Sequence, residues 1–333
     1  MKKHQILSER KEQYMLRIIG TGSALPEKVA DNNWIAQYAD TSDAWIQERT
    51  GIRQRHIAEE ETVAQLSVKA AKAALENSSI SAEDIDLILV ATGSSEQLYP
   101  CIACEVQAAL GAVHAAGFDL NAACSGFITA YQTAFGHVKA GLAKNVLVIG
   151  AECLSKLVDW TDRGTCILFG DGAGAVILQE QADSEVTQEP VCVMHADGSR
   201  GQVLTCNSGR KNGSSPYGEF MQMDGRAIYQ FAVRKVPEVI REVLDKAGKQ
   251  PEDVDYFILH QANKRIIESI SARLKQPMEK FPTNIERNGN ISSACIPVLL
   301  DEMNRAGKLK PGMKMVLAGF GAGLTWGSIY MEW

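Results

Sequence analysis

The 333-residue chain has no surplus of basic residues: 34 Lys and Arg stand against 40 Asp and Glu, a net charge of −6. That balance argues against a dedicated nucleic-acid binder, whose phosphate-facing surface needs a basic excess. Long apolar runs are missing as well. No stretch approaches the ~18 uninterrupted apolar residues that a membrane span requires. The opening segment MKKHQILSERKEQY is charged throughout and lacks the apolar core of a secretory leader. The expectation is a cytoplasmic protein without nucleic-acid or membrane partners, with residues 1–14 as an extension ahead of the first strand-like run. Cysteine is not scarce, but its spacing is loose. Eight cysteines are spread over the chain, unlike the dense framework of a disulfide scaffold. Cys101 and Cys104 form a CxxC, yet no second pair stands at zinc spacing. No metal site is expected, and the pair reads as the opening of a helix.

What is present is ordinary globular composition, 45% apolar and 22% charged, and at about 150 residues per domain the length suggests two domains. A repeat appears when the chain is shifted by 169 residues: LENSSISAEDIDLILV (75–90) overlies LDKAGKQPEDVDYFIL (244–259), VLVIG (146–150) overlies MVLAG (315–319), and Asn121 overlies Asn290. A duplicated α/β unit explains all three matches. The runs DLILVAT, NVLVIGA, YFILH and MVLAG are continuously apolar, the pattern of strands buried on both faces. Helical patterns alternate with them at 64–77, 125–141 and 228–247, which implies mixed sheets covered by helices. The division expected is 15–184 and 185–333, with the seam in the polar stretch near Gln179–Pro190.

Sites in such folds gather at strand carboxyl ends beside helix N-termini. Three segments meet that description. In FDLNAACSGF, Cys124 ends an extended run where a helix of small residues opens, and the positive helix end favours the thiolate. In FILHQANK, His260 follows a strand directly. In NGNISSACIP, the repeat sets Asn290 opposite Asn121 and so beside Cys124, where its amide can hold a carbonyl oxygen. The glycine strings FGDGAG and GFGAGLTWG match no phosphate-loop pattern and are expected as tight turns presenting N–H groups to the cleft. A Cys, His and Asn set admits hydrolysis by a papain-like route, but the local signature of such proteases is absent. It also admits carbon–carbon bond formation through an acyl-cysteine, with His and Asn steadying an enolate.

From Met15 to Trp333 the sequence resembles the β-ketoacyl-acyl carrier protein synthase III family. The strings that carry the resemblance are GTGSALPEKV, DTSDAWIQERTGIRQRHIA, NAACSGF, DRGTCILFGDGAGAVIL, HADGS, HQANKRII, RNGNISSA and GFGAGLTWGS. The resemblance implies a thiolase-like duplicated α/β fold, a five-layer αβαβα sandwich with mixed sheets. It also implies an acyltransferase that condenses an acyl-CoA starter with malonyl-acyl carrier protein at the start of fatty-acid synthesis. Carried onto this chain, it makes Cys124, His260 and Asn290 catalytic, with the N–H groups of Cys124 and Ala322 as the oxyanion hole. Coenzyme A would meet Thr41, Trp45, Arg49, Arg163 and Asn263, with Trp45 and Arg163 sandwiching the adenine. Phe320 would border the acyl pocket, and Tyr99 would reach across a homodimer to close the partner's. Lys264, Arg265 and Arg273 would face the acidic carrier protein. No metal or redox cofactor is implied, since acyl-CoA is a substrate.

This chain departs from the family at Cys295, where relatives often carry serine, at Ala322 in place of a third glycine, at Gln230 in place of a lysine, and at Tyr99 in place of phenylalanine. Within the same fold the alternative is a synthase priming a polyketide or quinolone. A degradative thiolase would need a second catalytic cysteine, for which Cys295 is the nearby candidate. From another class, an inactive partner subunit would have no reason to keep Cys124, His260 and Asn290 together.

Overall fold

The computed structural model describes residues 15–181, 188–207 and 220–333, so the 1–14 extension and the middle of the expected seam lie outside the described residues. The first mixed sheet contains Met15–Ala24 (β1), Leu87–Ala91 (β2), Ala116–Leu120 (β3), Asn145–Cys153 (β4) and Asp171–Gln181 (β5), in spatial order β1-β5-β4-β2-β3. The second contains Val191–Ala196 (β6), Tyr256–Leu259 (β7), Lys314–Gly321 (β8) and Thr325–Glu332 (β9), in order β7-β8-β9-β6. The helices are Asp43–Thr50 (α1), Val63–Glu76 (α2), Ile102–Leu110 (α3), Gly126–Lys139 (α4), Gly225–Ala247 (α5), Lys264–Leu274 (α6) and Cys295–Arg305 (α7).

Strand alternation divides the apolar residues between layers. In β2, Leu87, Leu89 and Ala91 point to the centre of the molecule, while Ile88 and Val90 point outward beneath α2 and α3. In β8, Met315 and Leu317 face the centre, while Val316, Ala318 and Phe320 face α5 and α6. The centre is filled by α4 and α7, which bury Phe127, Ile128 and Tyr131 from one and Ile296, Leu299 and Leu300 from the other. Helix pair, sheet, helix pair, sheet, helix pair: five layers result, as the resemblance implies. Helix α2 starts where Thr62 and Gln65 form a reciprocal capping box, which satisfies two otherwise orphaned donors.

The 169-residue repeat holds in hydrogen-bond register. Leu87 pairs with Val146 in the first sheet and Tyr256 with Met315 in the second. The turn Ala123–Ser125 precedes α4 as Ser292–Ala294 precedes α7. Ala123 and Ser292, equivalent under the repeat, hold φ of +46° and +49°, a left-handed conformation costing roughly 1–2 kcal/mol for a residue with a Cβ. Side chains preset both turns: Asn121 Oδ1 accepts from the Ala123 N–H at 3.1 Å, and Asn290 Oδ1 from the Ser292 N–H at 2.9 Å.

Each turn rests on the central strand of the other half. A Cβ at Gly321 of β8 would lie 2.7 Å from the Cys124 nitrogen, and one at Gly150 of β4 would overlap the Ser293 carbonyl. The string FGDGAG is correspondingly not a turn. Gly172 and Gly174 lie inside buried strand β5, and a Cβ at Gly174 would lie 2.5 Å from the Val298 nitrogen of α7. The second string does turn, between β8 and β9.

These glycines make a paired stability test. Gly136 in α4 faces open space, so Gly136→Ala is expected to stabilise by roughly 0.5–1 kcal/mol. Gly150→Ala, forced against backbone, is expected to destabilise by several kcal/mol or prevent folding. Thermal unfolding of the two variants beside wild type reads both.

Candidate active site

Cys124 lies in the turn between β3 and α4, half-buried. The helix N-terminus was expected to favour its thiolate, but burial wins and pushes the thiol up to about 12. The Ser292 hydroxyl pulls the other way, and the Glu152 carboxyl adds to the rise. The reason is positional: Cys124 precedes Ser125, the cap of α4, so it stands outside the first turn, where the dipole acts. At rest the side chain is a thiol.

His260 follows β7 directly. Its N–H donates to the Ala318 carbonyl at 2.9 Å, and its ring stands edge-on to Phe320, with centroids 5.2 Å apart. At 2% exposure, burial drives its pKa down to about 3, the neighbouring Ser292 backbone offsetting only part of this. At neutral pH the ring is uncharged, with one N–H to donate. Asn290 is buried, and its amide oxygen is taken by the Ser292 N–H. That leaves the NH2 as its available donor. Cys124, His260, Asn290 and Phe320 line one cavity of about 550 Å³, whose walls run out past Trp45, Arg49 and Arg265.

Of the candidate coenzyme A residues, Trp45, Arg49 and Asn263 line the outer part of this cavity, while Thr41 and Arg163 do not. The Arg163 guanidinium lies directly over the Trp45 indole, 4.9 Å from its centroid, and donates to the Asp40 carbonyl at 3.0 Å. A ring sandwiched between the two needs about 7 Å, two van der Waals layers, so Arg163 must shift to admit one. Arg49 flanks the same indole at 5.7 Å. Thr41 has a buried hydroxyl without a hydrogen-bond partner. Asn263 caps α6 through Arg265 N–H and donates to the Arg49 carbonyl at 3.0 Å, joining α1 to α6. Lys264, Arg265 and Arg273 are exposed along α6.

A second, inner pocket of about 280 Å³ opens on the other side of Cys124. Leu154, Leu157, Phe169, Leu204 and Met221 line it, with Ala322 beside the nucleophile. Ala322 has no positive φ, so its methyl is tolerated where a glycine was expected. Phe320 and Tyr99, which the resemblance placed at the acyl pocket, do not line this second pocket. Phe320 lines the outer cavity, because alternation along β8 turns it the same way as Val316 and Ala318. Tyr99 is 87% exposed and lines neither cavity of its own chain. Cys295 is buried, lines neither cavity, and has its Sγ 3.9 Å from Asn290 Oδ1.

The sequence reading passed over Glu152, which is 1% exposed and lines the inner pocket. It accepts from the Gly93 N–H at 3.1 Å and the Ser94 hydroxyl at 2.6 Å, and desolvation raises its pKa. The signal was present: a carboxylate closing the apolar run NVLVIGAEC.

Two register-matched α/β halves, with a cysteine from one and a histidine and an asparagine from the other meeting in one cavity, define a thiolase-fold enzyme of the acyl-transfer class. The chain matches the family models described as 3-oxoacyl-[acyl-carrier-protein (ACP)] synthase III over residues 118–198 and as its C-terminal part over residues 244–333. It is 45% identical over 325 residues to the β-ketoacyl-[acyl-carrier-protein] synthase III of Clostridium acetobutylicum, covering 96% of this chain and 98% of that one. The crystal structure of 3-oxoacyl-[acyl-carrier-protein] synthase III from Aquifex aeolicus superposes with a TM-score of 0.90 at 44% identity, covering 96% of this chain and all of that one. The priming β-ketosynthase of the R1128 polyketide pathway superposes with a TM-score of 0.90 at 34% identity, covering 96% of this chain and 97% of that one. The chain belongs to the β-ketoacyl-[acyl-carrier-protein] synthase III family.

The buried histidine gives a pH signature. Its folded pKa lies below the unfolded 6.5, so below pH 6.5 the unfolded chain binds a proton that the folded chain refuses. Stability therefore falls with pH between 6.5 and about 3, by up to ~1.4 kcal/mol per unit from this residue. His260→Gln is expected to flatten that slope in denaturant titrations. The imidazole NMR shifts of His260 are expected to stay constant from pH 8 to 5 while an exposed histidine titrates.

Proposed function

We propose that Cys124 takes an acyl group from acyl-CoA and that His260 and Asn290 then drive decarboxylative condensation with malonyl-acyl carrier protein, giving a β-ketoacyl-acyl carrier protein. The observation that carries the reading is that these three residues line one cavity. Cys124 Sγ attacks the thioester carbonyl, the departing coenzyme A thiolate takes the thiol proton, and the transient oxyanion meets the N–H groups of Cys124 and Ala322. The acyl chain extends into the inner pocket. The malonyl thioester carbonyl then accepts hydrogen bonds from the His260 ring and the Asn290 amide. Carbon dioxide leaves, the enolate carbon attacks the acyl-enzyme carbonyl, and the Cys124 thiolate departs and is reprotonated. Both donors are neutral, so they stabilise the enolate through oriented dipoles.

Coenzyme A is assigned to the outer cavity, with Trp45, Arg49 and Arg163 at the adenine and Thr41 and Asn263 further along. The exposed cations of α6 are assigned to the acidic carrier protein. No metal or redox cofactor is part of this scheme, and the site of action is the cytoplasm. A homodimer is supported by the edge of the first sheet. β3 is its last strand, and Leu98, Tyr99, Val113, Phe118 and Leu142 are exposed apolar residues on that strand and the segments around it. An unpaired edge with apolar neighbours is suited to a second copy, and Tyr99 then stands ready to reach the partner's pocket.

Intact-protein mass spectrometry with a panel of acyl-CoAs tests the scheme. The expected result is a single acyl adduct on Cys124, absent from Cys124→Ala. His260→Ala is expected to acylate at close to the wild-type rate but to lose decarboxylative condensation by 10²-fold or more; equal loss of both steps contradicts the roles assigned. The starter preferred by the inner pocket separates fatty-acid initiation from polyketide priming.

A further inference from the structure

The CxxC pair is not used by the condensing site. Cys101 is the N-cap of α3, without a side-chain hydrogen bond to the helix, and Cys104 stands one turn on and is exposed. Their Sγ atoms lie 3.4 Å apart, in contact, against a disulfide length of about 2 Å. Neither residue lines the outer cavity or the inner pocket. We propose that Cys101 and Cys104 form an oxidisable dithiol whose reagents are low-molecular-weight disulfides.

The Cys101 thiolate attacks one sulfur of the reagent and expels one thiol. Cys104 then attacks the mixed disulfide and expels the second. The pair gives up two electrons and two protons, and the reagent becomes two thiols.

The full-length protein is incubated with oxidised glutathione, blocked with an alkylating agent and cut after glutamate, which releases Gln97–Glu105 with both cysteines. Wild type is expected to yield this peptide unalkylated and lighter by two hydrogens. Cys104→Ser, which removes the resolving thiol, is expected to hold a glutathione adduct on Cys101 instead. A stable glutathione adduct in the wild-type peptide, or reduced thiols there while exposed Cys206 reacts, overturns the proposal.

A different observation carries a second inference, which rests on the coenzyme A reading above. Arg55 is 0% exposed. It donates to the Asn32 Oδ1 at 2.9 Å, to the Ala30 carbonyl at 3.3 Å and to the Ile167 carbonyl at 2.8 Å. Asn32 in turn donates to Asp43 Oδ1 at 2.9 Å and to the Ile52 carbonyl at 2.8 Å. Asp43 opens α1, which carries Trp45, and Ile167 lies four residues after Arg163. One guanidinium thus joins the two segments that meet as indole and guanidinium. We infer that Arg55 is a positioning residue that fixes the backbone segments carrying Trp45 and Arg163, from which the Arg163 side chain swings to admit the adenine of the acyl-CoA.

A residue that only supported the fold would affect every substrate alike. Arg55→Lys keeps the charge but loses the fork, and it is expected to raise the KM for acyl-CoA about tenfold. The KM for the matching acyl-pantetheine, which has no adenine, and both kcat values are expected to stay within about twofold. Asn32→Ser, which cuts the same link at its other end, is expected to repeat the split if Arg55→Lys does not fold. Equal loss on both substrates, or no change on either, overturns the role of Arg55. A Trp45→Ala enzyme with an unchanged KM for acyl-CoA overturns the coenzyme A reading instead.

Discussion

The turns Ala123–Ser125 and Ser292–Ala294 are each bedded on the central strand of the opposite half, at backbone contact. The site depends on that crossing. It carries Cys124 from the first half toward His260 and Asn290 of the second, although the residues are far apart in the chain. The approach is possible because Gly150 and Gly321 lack side chains, and it is held by two residues at positive φ whose strain the Asn121 and Asn290 bonds offset. Backbone packed at this density does not yield to small displacements. The strained turns are therefore rigid, and a rigid turn fixes the nucleophile relative to its partners.

The crossing is symmetric in backbone and asymmetric in chemistry. Under the repeat, Cys124 corresponds to Ser293, Gly321 to Glu152 and His260 to Ala91. Ser293 Oγ lies 2.9 Å from the Ala91 carbonyl and 3.0 Å from Glu152 Oε1. Its one hydroxyl proton is shared between these two acceptors. One turn is thus closed on itself by internal hydrogen bonds. The other faces Gly321 and sets a thiol beside two cavities. Duplication supplies the scaffold, and three substitutions at equivalent places decide which turn is reactive.

Legibility from sequence follows the same division. Strands buried on both faces leave continuous apolar runs, so β2, β4, β7 and β8 were readable, and the repeat located Asn290 opposite Asn121 without any fold in hand. The end of the strand YFIL pointed to His260. What failed was whatever depends on distance through space. The helix-end argument gave Cys124 a thiolate because a sequence shows proximity to a helix but not how much water is lost. Glycines packed under α7 looked like turns. Glu152 was overlooked because a lone carboxylate at a strand end is unremarkable until its burial is seen.

Burial, finally, decides which electrostatics the site can use. Holding His260 protonated at neutral pH would cost on the order of 5 kcal/mol against a folded pKa of about 3. That is more than a partly solvated cation returns to an enolate at the effective dielectric of such sites. A neutral imidazole and a neutral amide forgo the cation's Coulomb energy but need no reorganisation when charge develops between them. The same desolvation keeps Cys124 protonated at rest. The exposed cations of α6, by contrast, remain in water, where charge costs little and long-range attraction to an anionic partner survives. Neutral donors inside and charged residues at the rim are consequences of one variable, the distance of each group from solvent.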